Sequence, residues 1–487
     1  MDIRTRFAPS PTGSVHIGGI RTALYCYAWA KKNNGKFITR IEDTDQGRFV
    51  EGATEEVFEM LDAYGLTPDE SLVHGGEYGP YVQSQRKDIY LKYALELIEK
   101  GYAYYCFLEP EELKTIQEAT RGAGFRSRYR DQDIESSKKM IAEGKPYVIR
   151  LKVPDNETII YKDGVQGSIK FDTNLVNDEI LIKSNGFGSY HLAVVVDDHL
   201  MNISHVFRAV EWLPSTPKQI LLYRYFGWEM PPFYHVTAIL DPAGGKLSKR
   251  KGSVAAKGFL AEGYLPEAVL NFLMLLGWSS PEKHESGEKE KELFSLKEFV
   301  ELFDLKDFNK SNPIFNREKL IWFNKEYLKL KSNEDLKEVL INWFKNYSTE
   351  FDLSTFVLQD YDLAEKIGLV KERSNTLKEI LDQIKFFYKA PKDIDWNIKQ
   401  TQNTIDIIKD LKNDFAELFK AFPENSKEWK HEDWEPKMRA IGDKYSKKHG
   451  DIFMVLRMAI VGSPFSPPLF ESMQLLGKNE VLKRLTA

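Results

Sequence analysis

The sequence predicts an α/β fold: a doubly wound parallel sheet, an α+β insertion within that sheet, and an all-α C-terminal region. Three observations lead to this prediction. Up to about residue 105, short apolar segments alternate with longer amphipathic ones, which is the pattern of parallel strands joined by helices. Strand-like alternation then interrupts this order. Beyond about residue 325, every periodic segment has helical spacing.

A strand, a tight loop and a helix are predicted at the start of the sheet. Residues 3–8 can form a short buried strand, and the sequence Pro-Ser-Pro-Thr-Gly over residues 9–13 excludes both helix and strand. Apolar residues then recur at helical spacing over residues 20–28.

A second strand is predicted over residues 36–42, and it ends in the acidic sequence Glu-Asp-Thr-Asp over 42–45. Carboxylates at the carboxyl end of a strand lie where open α/β sheets bind ligands, although helix capping and loop solvation explain them equally well. Helices are predicted over residues 51–64 and 84–100, the second with a serine cap.

Alternating segments at residues 147–153, 158–161 and 180–182 predict an α+β insertion in the sheet. The sheet is expected to resume with a strand over residues 190–199, because this near-continuous apolar run is typical of a buried parallel strand. A last strand is predicted over residues 235–240.

The C-terminal region contains helical segments only. Its surface is rich in lysine and tryptophan, which suits either a solvated bundle face or a face that reads RNA. The predicted helices cover residues 336–344, 376–388, 406–419, 438–445 and 453–460.

The first turn of the first helix is unusual because it holds His16, Gly18 and Gly19. Each glycine costs about 1 kcal/mol relative to alanine in a helix. Missing side chains let a ligand approach the backbone, and the helix N-terminus favours a polyphosphate. Taken alone, the motif more often marks a core histidine at an ordinary helix start.

A cationic loop over residues 244–253, Gly-Gly-Lys-Leu-Ser-Lys-Arg-Lys-Gly-Ser, has no acidic residue. Alone it can be a solvated charge run. Together, His-Ile-Gly-Gly at residues 16–19 and Lys-Leu-Ser-Lys-Arg at residues 246–250 resemble the paired ATP signatures of class I aminoacyl-tRNA synthetases. The stretches RFAPSPTG at residues 6–13 and RIEDTD at residues 40–45 narrow the resemblance to the glutamyl-tRNA synthetase family of bacterial type.

The resemblance covers essentially the whole chain and implies five segments. They are the first half of a Rossmann-type catalytic domain at 1–105, an acceptor-end-binding insertion at 106–188, the second half with the cationic loop at 189–254, a helical stem-contact domain at 255–325, and an all-α anticodon-binding domain at 326–487.

The reaction implied by the resemblance has two steps. The α-carboxylate of L-glutamate attacks the α-phosphate of ATP to give glutamyl-adenylate and diphosphate. A terminal ribose hydroxyl of tRNA(Glu) then takes the glutamyl group and releases AMP. ATP is a substrate, and Mg²⁺ is expected on its phosphates although no motif supplies dedicated protein ligands.

By correspondence with the family's motifs, the nucleotide contacts are expected from glycines, a histidine, an aromatic residue and lysines, with His16, Lys246 and Lys249 in catalytic roles. Charge on the departing diphosphate would be neutralised by the two lysines. The implied ATP-binding residues are His16, Gly18, Gly19, Trp212, Leu240, Lys246 and Lys249.

For glutamate, the resemblance implies a pocket with two arginines for carboxylates and one acidic residue for the ammonium group. The implied glutamate-binding residues are Arg6, Ala8, Ser10, Glu42, Tyr190 and Arg208. In the C-terminal region, Arg373 is the implied tRNA-binding residue.

The sequence departs from the family pattern at two places. Class I enzymes commonly have a second histidine where Gly19 stands, so a hydrogen bond from that position is absent here. Ala209-Val210 stands where the family usually has glycine followed by an acidic residue, which can alter how Arg208 is held.

Composition indicates a globular protein with partners bound locally. The chain has 487 residues, 42% of them hydrophobic, and a net charge of −5, so RNA binding must rely on basic patches rather than bulk charge. Two cysteines, Cys26 and Cys106, give no disulfide framework, and one thiol in the insertion cannot build a zinc site. A cytoplasmic monomer without zinc, leader or membrane span is expected.

Three other functions remain to be separated from the main one. A glutaminyl-tRNA synthetase shares the catalytic plan but usually has a tail rich in β-strands. An inactive paralogue would bind only RNA or a partner protein. A small-molecule nucleotidyltransferase would leave the long C-terminal region unused. The sequence does not decide whether tRNA(Gln) is also glutamylated.

Overall fold

A computed structural model describes residues 2–119, 124–247, 254–281, 291–348 and 357–487. No helix among these residues is both long and apolar enough to cross a lipid bilayer.

Contacts divide the chain into two compact units. The first unit consists of Met1–Gly258 and Val269–Arg317, and the second of Phe259–Ala268 and Glu318–Ala487.

The strands of the first unit are short, and the first and the third of them are buried along their whole length. In chain order they are β1 Arg4–Phe7, β2 Lys36–Thr39, β3 Ala103–Cys106, β4 Val148–Leu151, β5 Thr158–Asp163, β6 Gly167–Asp172, β7 Ile180–Ile182, β8 Val206–Ala209 and β9 Phe233–Val236.

Four of these strands form the predicted parallel sheet. Strand β1 pairs with β2 and β8 pairs with β9, both in parallel, and a parallel bridge between Thr5 and His205 joins the two pairs. The carboxyl ends of the four strands therefore lie along one edge, which is where open α/β sheets bind ligands.

The helices that precede residue 227 cover the sheet and the insertion. They are α1 Ile17–Lys32, α2 Ala53–Ala63, α3 Lys87–Glu99, α4 Pro110–Ala119, α5 Ile134–Ala142, α6 Tyr190–Leu200 and α7 Thr216–Phe226. Helices α3, α6 and α7 contribute side chains to one core with the insertion strands, including Leu97, Val195 and Leu221.

The strand predicted over residues 190–199 is wrong, because these residues form helix α6. An apolar run of this length suits a buried strand and a buried helix equally well, so periodicity does not separate them. Residues Leu192 to Asp198 are all buried, which means that α6 is enclosed on every side and shows no amphipathic pattern.

The α+β insertion is confirmed. Strands β3, β4 and β7 form an antiparallel sheet, and β5 and β6 form an antiparallel hairpin. The hairpin lies against the parallel sheet, since the Gly164 amide donates to the Phe233 carbonyl of β9 at 2.9 Å.

Several predicted boundaries differ from the structure, among them the end of β2, which falls at Thr39 rather than at residue 42. Helix α3 begins at Lys87 with Arg86 as its N-cap, after a 3₁₀ turn at Gln83–Arg86, so Ser84 is not its cap. The side chains of Gln83 and Arg86 both point inward to Asp197, and these buried bonds fix the entry to the helix. The last strand, β9, ends at Val236 rather than at residue 240.

The region beyond residue 325 is confirmed as helical, with no strand among its described residues. Its helices pack around apolar cores that include Leu340, Ile380, Phe415 and Leu456. From residue 256 onward, the described α-helices are Ala256–Ala261, Pro266–Met274, Leu296–Leu302, Arg317–Leu330, Asn333–Tyr347, Leu363–Gly368, Leu377–Ile384, Ile408–Lys420, His431–Lys444, His449–Val461, Leu469–Leu476 and Lys478–Thr486.

Candidate active site

A cavity of about 570 Å³ opens at the carboxyl ends of the parallel strands in the first unit. Residues that follow β1, β2, β8 and β9 all contribute to its wall, together with the first turn of α1. The predicted site residues that line it are Arg6, Ala8, Ser10, His16, Gly18, Gly19, Glu42, Tyr190, Arg208, Trp212 and Lys246.

His16 is the N-cap of α1, and its ring is fixed by the backbone of the next turn. Its Nδ1 accepts a hydrogen bond from the Gly18 amide at 3.0 Å. An accepting Nδ1 carries no hydrogen, so the proton of the neutral ring sits on Nε2. A Cβ added at Gly18 would lie 3.2 Å from this Nδ1, a tight contact, so a larger residue would crowd the cap.

Position 19, where class I enzymes commonly have a second histidine, has room for a side chain and does not require glycine. A Cβ at this position would lie 3.6 Å from the Phe7 ring, an ordinary contact. The missing side chain therefore leaves cavity space beside His16, and the helix N-terminus presents backbone amides there.

Arg208 is held at the end of β8 by uncharged partners. Its Nε donates to His235 Nε2 at 2.8 Å, its Nη1 to Gln219 Oε1 at 2.6 Å, and its Nη2 to Thr216 Oγ1 at 3.0 Å. The guanidinium carbon also lies 4.7 Å from the centre of the Phe233 ring.

No described carboxylate pairs with Arg208, although the side chain is only 6% exposed. Burial lowers the pKa of its guanidinium, because the charge is removed from water without an acidic partner. A buried unpaired charge is costly, so a carboxylate entering this cavity would gain a strong and specific interaction.

Arg6 and Glu42 are anchored differently, through a buried network of charges. Arg6 donates to both carboxylate oxygens of Asp198, at 3.0 and 3.2 Å. Arg40, which has no exposed surface, donates to Asp198 at 2.8 Å and to Glu42 at 2.9 Å. The network thus fixes an arginine and a carboxylate on the same wall of the cavity.

The charges in this network shift the pKa values of its members. Burial raises the pKa of Glu42, and Arg40 only partly offsets this effect. Burial would likewise raise the pKa of Asp198, but Arg6 and Arg40 together hold it below its ordinary value. Glu42 is therefore poorly solvated and is the member best suited to receive a cationic group.

The sequence analysis missed the supporting members Arg40, Asp197 and Asp198. Asp197 accepts from Arg86 Nε at 2.7 Å and from Tyr90 at 2.8 Å, which places α6 against α3. The sequence did indicate buried partners for Asp197 and Asp198, because two adjacent acidic residues in an apolar run are buried only when cations pair with them.

Two aromatic residues form one side of the cavity. The rings of Tyr190 and Trp212 lie 4.5 Å apart with a tilt of 37°, and the Tyr190 hydroxyl is 3.4 Å from Arg208 Nη1. Leu240 does not line the cavity, whereas its neighbour Ile239 and Leu247 do.

The cationic loop is described only in part. Lys246 Nζ lies 2.6 Å from Glu211 Oε1, and both side chains are largely exposed. Lys249 lies outside the described residues. An exposed pair of this kind contributes little stability, about 0–1 kcal/mol, so Lys246 can exchange Glu211 for another anion.

The substitution at Ala209 does not disturb the backbone beside Arg208. At Ala209 the backbone angles are φ −68° and ψ 146°, an extended conformation that any residue adopts. The partners of Arg208 named above do not include position 210, so the acidic residue that the family has there is not needed for these contacts.

A second cavity of about 750 Å³ lies in the second unit and includes Arg373. Arg373 Nη1 donates to the Ser466 carbonyl at 2.8 Å. The wall also carries Lys385, Arg457 and the ring of Phe465, which is 82% exposed. Cations beside an exposed aromatic ring suit an unstacked nucleotide.

Among the residues that the structure describes, no group of three or more histidine, cysteine or acidic side chains is arranged to hold a metal ion. Cys106 is buried, and its thiol lies 3.4 Å from the Ser127 hydroxyl. The absence of zinc stays a prediction.

Two family models together match residues 2–487 of the chain. A family model described as "tRNA synthetases class I (E and Q), catalytic domain" matches residues 2–322. A second one, described as "Anticodon binding domain", matches residues 318–487.

Curated relatives are similar over their full length. A glutamate–tRNA ligase from Finegoldia magna is 43% identical over 498 residues, which cover 99% of this chain and 98% of the relative. A glutamate–tRNA ligase from Prosthecochloris aestuarii is 40% identical and covers 99% and 97% of the two chains.

Two solved structures that are similar to this chain are also glutamate–tRNA ligases. A glutamate tRNA ligase from Elizabethkingia meningosepticum, crystallised in complex with its amino acid, superposes with a TM-score of 0.82 at 35% identity and covers 100% of this chain and 99% of the other. Glutamate-tRNA synthetase from Elizabethkingia anophelis gives a TM-score of 0.81, also at 35% identity and the same coverage.

Proposed function

The chain belongs to the glutamate–tRNA ligase family of class I tRNA synthetases, and we propose that its strand-end cavity binds glutamate and ATP and joins them as glutamyl-adenylate. The enzyme is an ATP-dependent ligase that forms AMP and diphosphate. The relatives and the helical C-terminal region favour glutamate over the glutaminyl alternative.

Glutamate is bound by charges of both signs. Arg208 meets the side-chain carboxylate, since it is buried and has no acidic partner among the described residues. Glu42 receives the α-ammonium group, and Arg6 contributes positive charge between them. Ala8, Ser10 and Tyr190 complete the wall of this pocket. The buried, unpaired guanidinium of Arg208 is the observation that carries this proposal.

ATP lies across the N-terminus of α1. Gly18 and Gly19 allow the phosphates to approach the backbone amides, and His16 donates from Nε2. Trp212, Ile239 and Leu247 bound the adenine, with Ile239 and Leu247 in place of the predicted Leu240. Lys246 and Lys249 neutralise the charge that moves onto the diphosphate as the α-phosphate is attacked.

The chemistry needs no covalent enzyme nucleophile. The glutamate α-carboxylate is itself the nucleophile, so the protein contributes positioning and charge stabilisation. Mg²⁺ enters with ATP as part of that substrate, since this hard cation prefers the oxygens of the phosphates.

The remaining segments bind tRNA(Glu). The insertion at 106–188 receives the acceptor end, the segment at 255–325 contacts the stem, and the region at 326–487 reads the anticodon. Arg373 is assigned to the anticodon, because it lines a cavity with further cations and an exposed aromatic ring. The enzyme acts as a cytoplasmic monomer.

We expect glutamyl-adenylate not to form appreciably until tRNA is bound. Binding of the acceptor end brings ATP or glutamate into reactive geometry, which is an induced-fit step. The measurement is ATP–pyrophosphate exchange with glutamate in three samples: without tRNA, with tRNA(Glu) and with a non-cognate tRNA as control. Exchange at the full rate without tRNA contradicts the expectation.

A further inference from the structure

Behind Arg208 lies a chain of buried polar contacts that the glutamate pocket does not use directly. His235 Nε2 accepts from Arg208 Nε at 2.8 Å, and His235 Nδ1 lies 2.5 Å from Asp163 Oδ2. Neither His235 nor Asp163 lines the cavity, and both side chains are completely buried.

The direction of each hydrogen bond follows from the chemistry of Arg208. A guanidinium has only N–H donors, so His235 Nε2 must be an unprotonated acceptor. The ring proton then sits on Nδ1 and is donated to the Asp163 carboxylate. Burial lowers the pKa of His235, and hydrogen bonding to His235 helps to hold the pKa of Asp163 below its ordinary value against burial.

Asp163 is itself fixed at the end of β5 by the turn that follows it. Its Oδ1 accepts from the backbone amides of Val165 and Gln166, both at 2.9 Å. The same turn is tied to β9, because Gln166 Nε2 donates to the His235 carbonyl at 2.8 Å. The β5–β6 hairpin therefore sets the position of Asp163 relative to His235.

From these contacts we infer that Asp163 and His235 are positioning residues for glutamate, because they fix the tautomer of His235 and so aim the guanidinium of Arg208 into the cavity. The inference rests on the proposed binding of glutamate by Arg208. Nε–H is occupied by His235, and each Nη donates one hydrogen to Gln219 or Thr216, so each Nη has a second N–H that can meet the ligand carboxylate. The hairpin belongs to the insertion assigned to the tRNA acceptor end. A shift of the hairpin would therefore move Arg208 through the hydrogen bonds of Asp163 and His235.

An Asp163→Asn variant tests this series of hydrogen bonds without changing a residue of the cavity wall. The amide oxygen must stay with Val165 and Gln166, so the amide nitrogen faces His235 Nδ1 and donates to it. The ring proton is then forced onto Nε2, where it opposes the Arg208 Nε–H. We expect the KM for glutamate to rise about tenfold to a hundredfold, the range expected when a buried donor loses its partner.

Two His235 variants separate orientation from simple packing. The Oε1 of His235→Gln can replace Nε2 as the acceptor for Arg208, whereas the amide of His235→Asn can replace only the contact with Asp163. We expect the glutamine variant to keep a KM for glutamate within about threefold of wild type. The asparagine variant should match Asp163→Asn. Equal effects in the two His235 variants would overturn the inference.

The assay is tRNA-dependent aminoacylation, with KM values for glutamate and ATP and a thermal unfolding midpoint for every variant. Asp172→Asn is the matched control, since Asp172 is exposed at the other end of the same hairpin and its carboxylate accepts from the nearby Asn174 amide. Only the glutamate KM should respond to Asp163→Asn.

An unchanged glutamate KM in Asp163→Asn, beside a severe loss in Arg208→Ala, would refute the positioning role alone. An unchanged glutamate KM in Arg208→Ala would refute the proposed pocket itself.

Discussion

Replacing Arg208 by alanine is expected to lower kcat/KM for glutamate severely while leaving ATP binding largely intact. The substitution removes the buried cation that faces the ligand carboxylate, and breaking a buried charge pair costs about 3–5 kcal/mol. This corresponds to a loss of roughly a hundredfold to several thousandfold in kcat/KM for glutamate. Arg208→Lys should recover little, because an ammonium group cannot hold His235, Gln219 and a carboxylate in the same planar arrangement.

The measurement is steady-state aminoacylation with glutamate and ATP varied in turn. Arg224→Ala serves as the control, since Arg224 is on the neighbouring helix α7 but is exposed and pairs with Glu157. An increase in the KM for ATP equal to that for glutamate would place Arg208 in a different role.

Lys249→Ala, and also Lys246→Ala, is expected to lower the rate of adenylate formation about a hundredfold or more, near 3 kcal/mol, with little change in ATP affinity. Negative charge accumulates on the diphosphate only as the α-phosphate is attacked. An interaction that strengthens at that point raises the rate without tightening the binding of the ground state. The weak, exposed pair of Lys246 with Glu211 is consistent with a lysine that leaves its partner during the reaction.

Single-turnover adenylation over a range of ATP concentrations separates the rate from the affinity. Lys257→Ala is the control, because Lys257 follows the loop closely in sequence but is half exposed near Glu59, outside the cavity wall. Weaker ATP binding with an unchanged rate at saturation would make the loop a ground-state phosphate clamp.

The start of the fold was predictable because its signals are local. The loop at residues 9–13 contains two prolines and a glycine, and the glycines after His16 mark the first turn of helix α1. Helix α6 was not predictable from periodicity, since it is buried on all sides and its pattern equals that of a buried strand.

The site was predictable where motifs carry it and not where distant residues support it. Arg6, Glu42 and Arg208 were identified from motifs and do line one cavity. The contact between Arg40 and Asp198 joins residues 158 positions apart along the chain, so no local pattern indicates it. The hydrogen bonds that link Asp163, His235 and Arg208 were not predicted either, because they join a hairpin of the insertion to residues of the parallel sheet.

The central claim is that a buried guanidinium in the strand-end cavity reads the side-chain carboxylate of the amino acid. Its most direct test is the ratio of kcat/KM for glutamate to that for glutamine, measured with the wild-type enzyme and tRNA(Glu). Glutamine would leave Arg208 buried without an anion, so glutamate should be preferred by about 10⁴-fold. Comparable values for the two amino acids would contradict the claim.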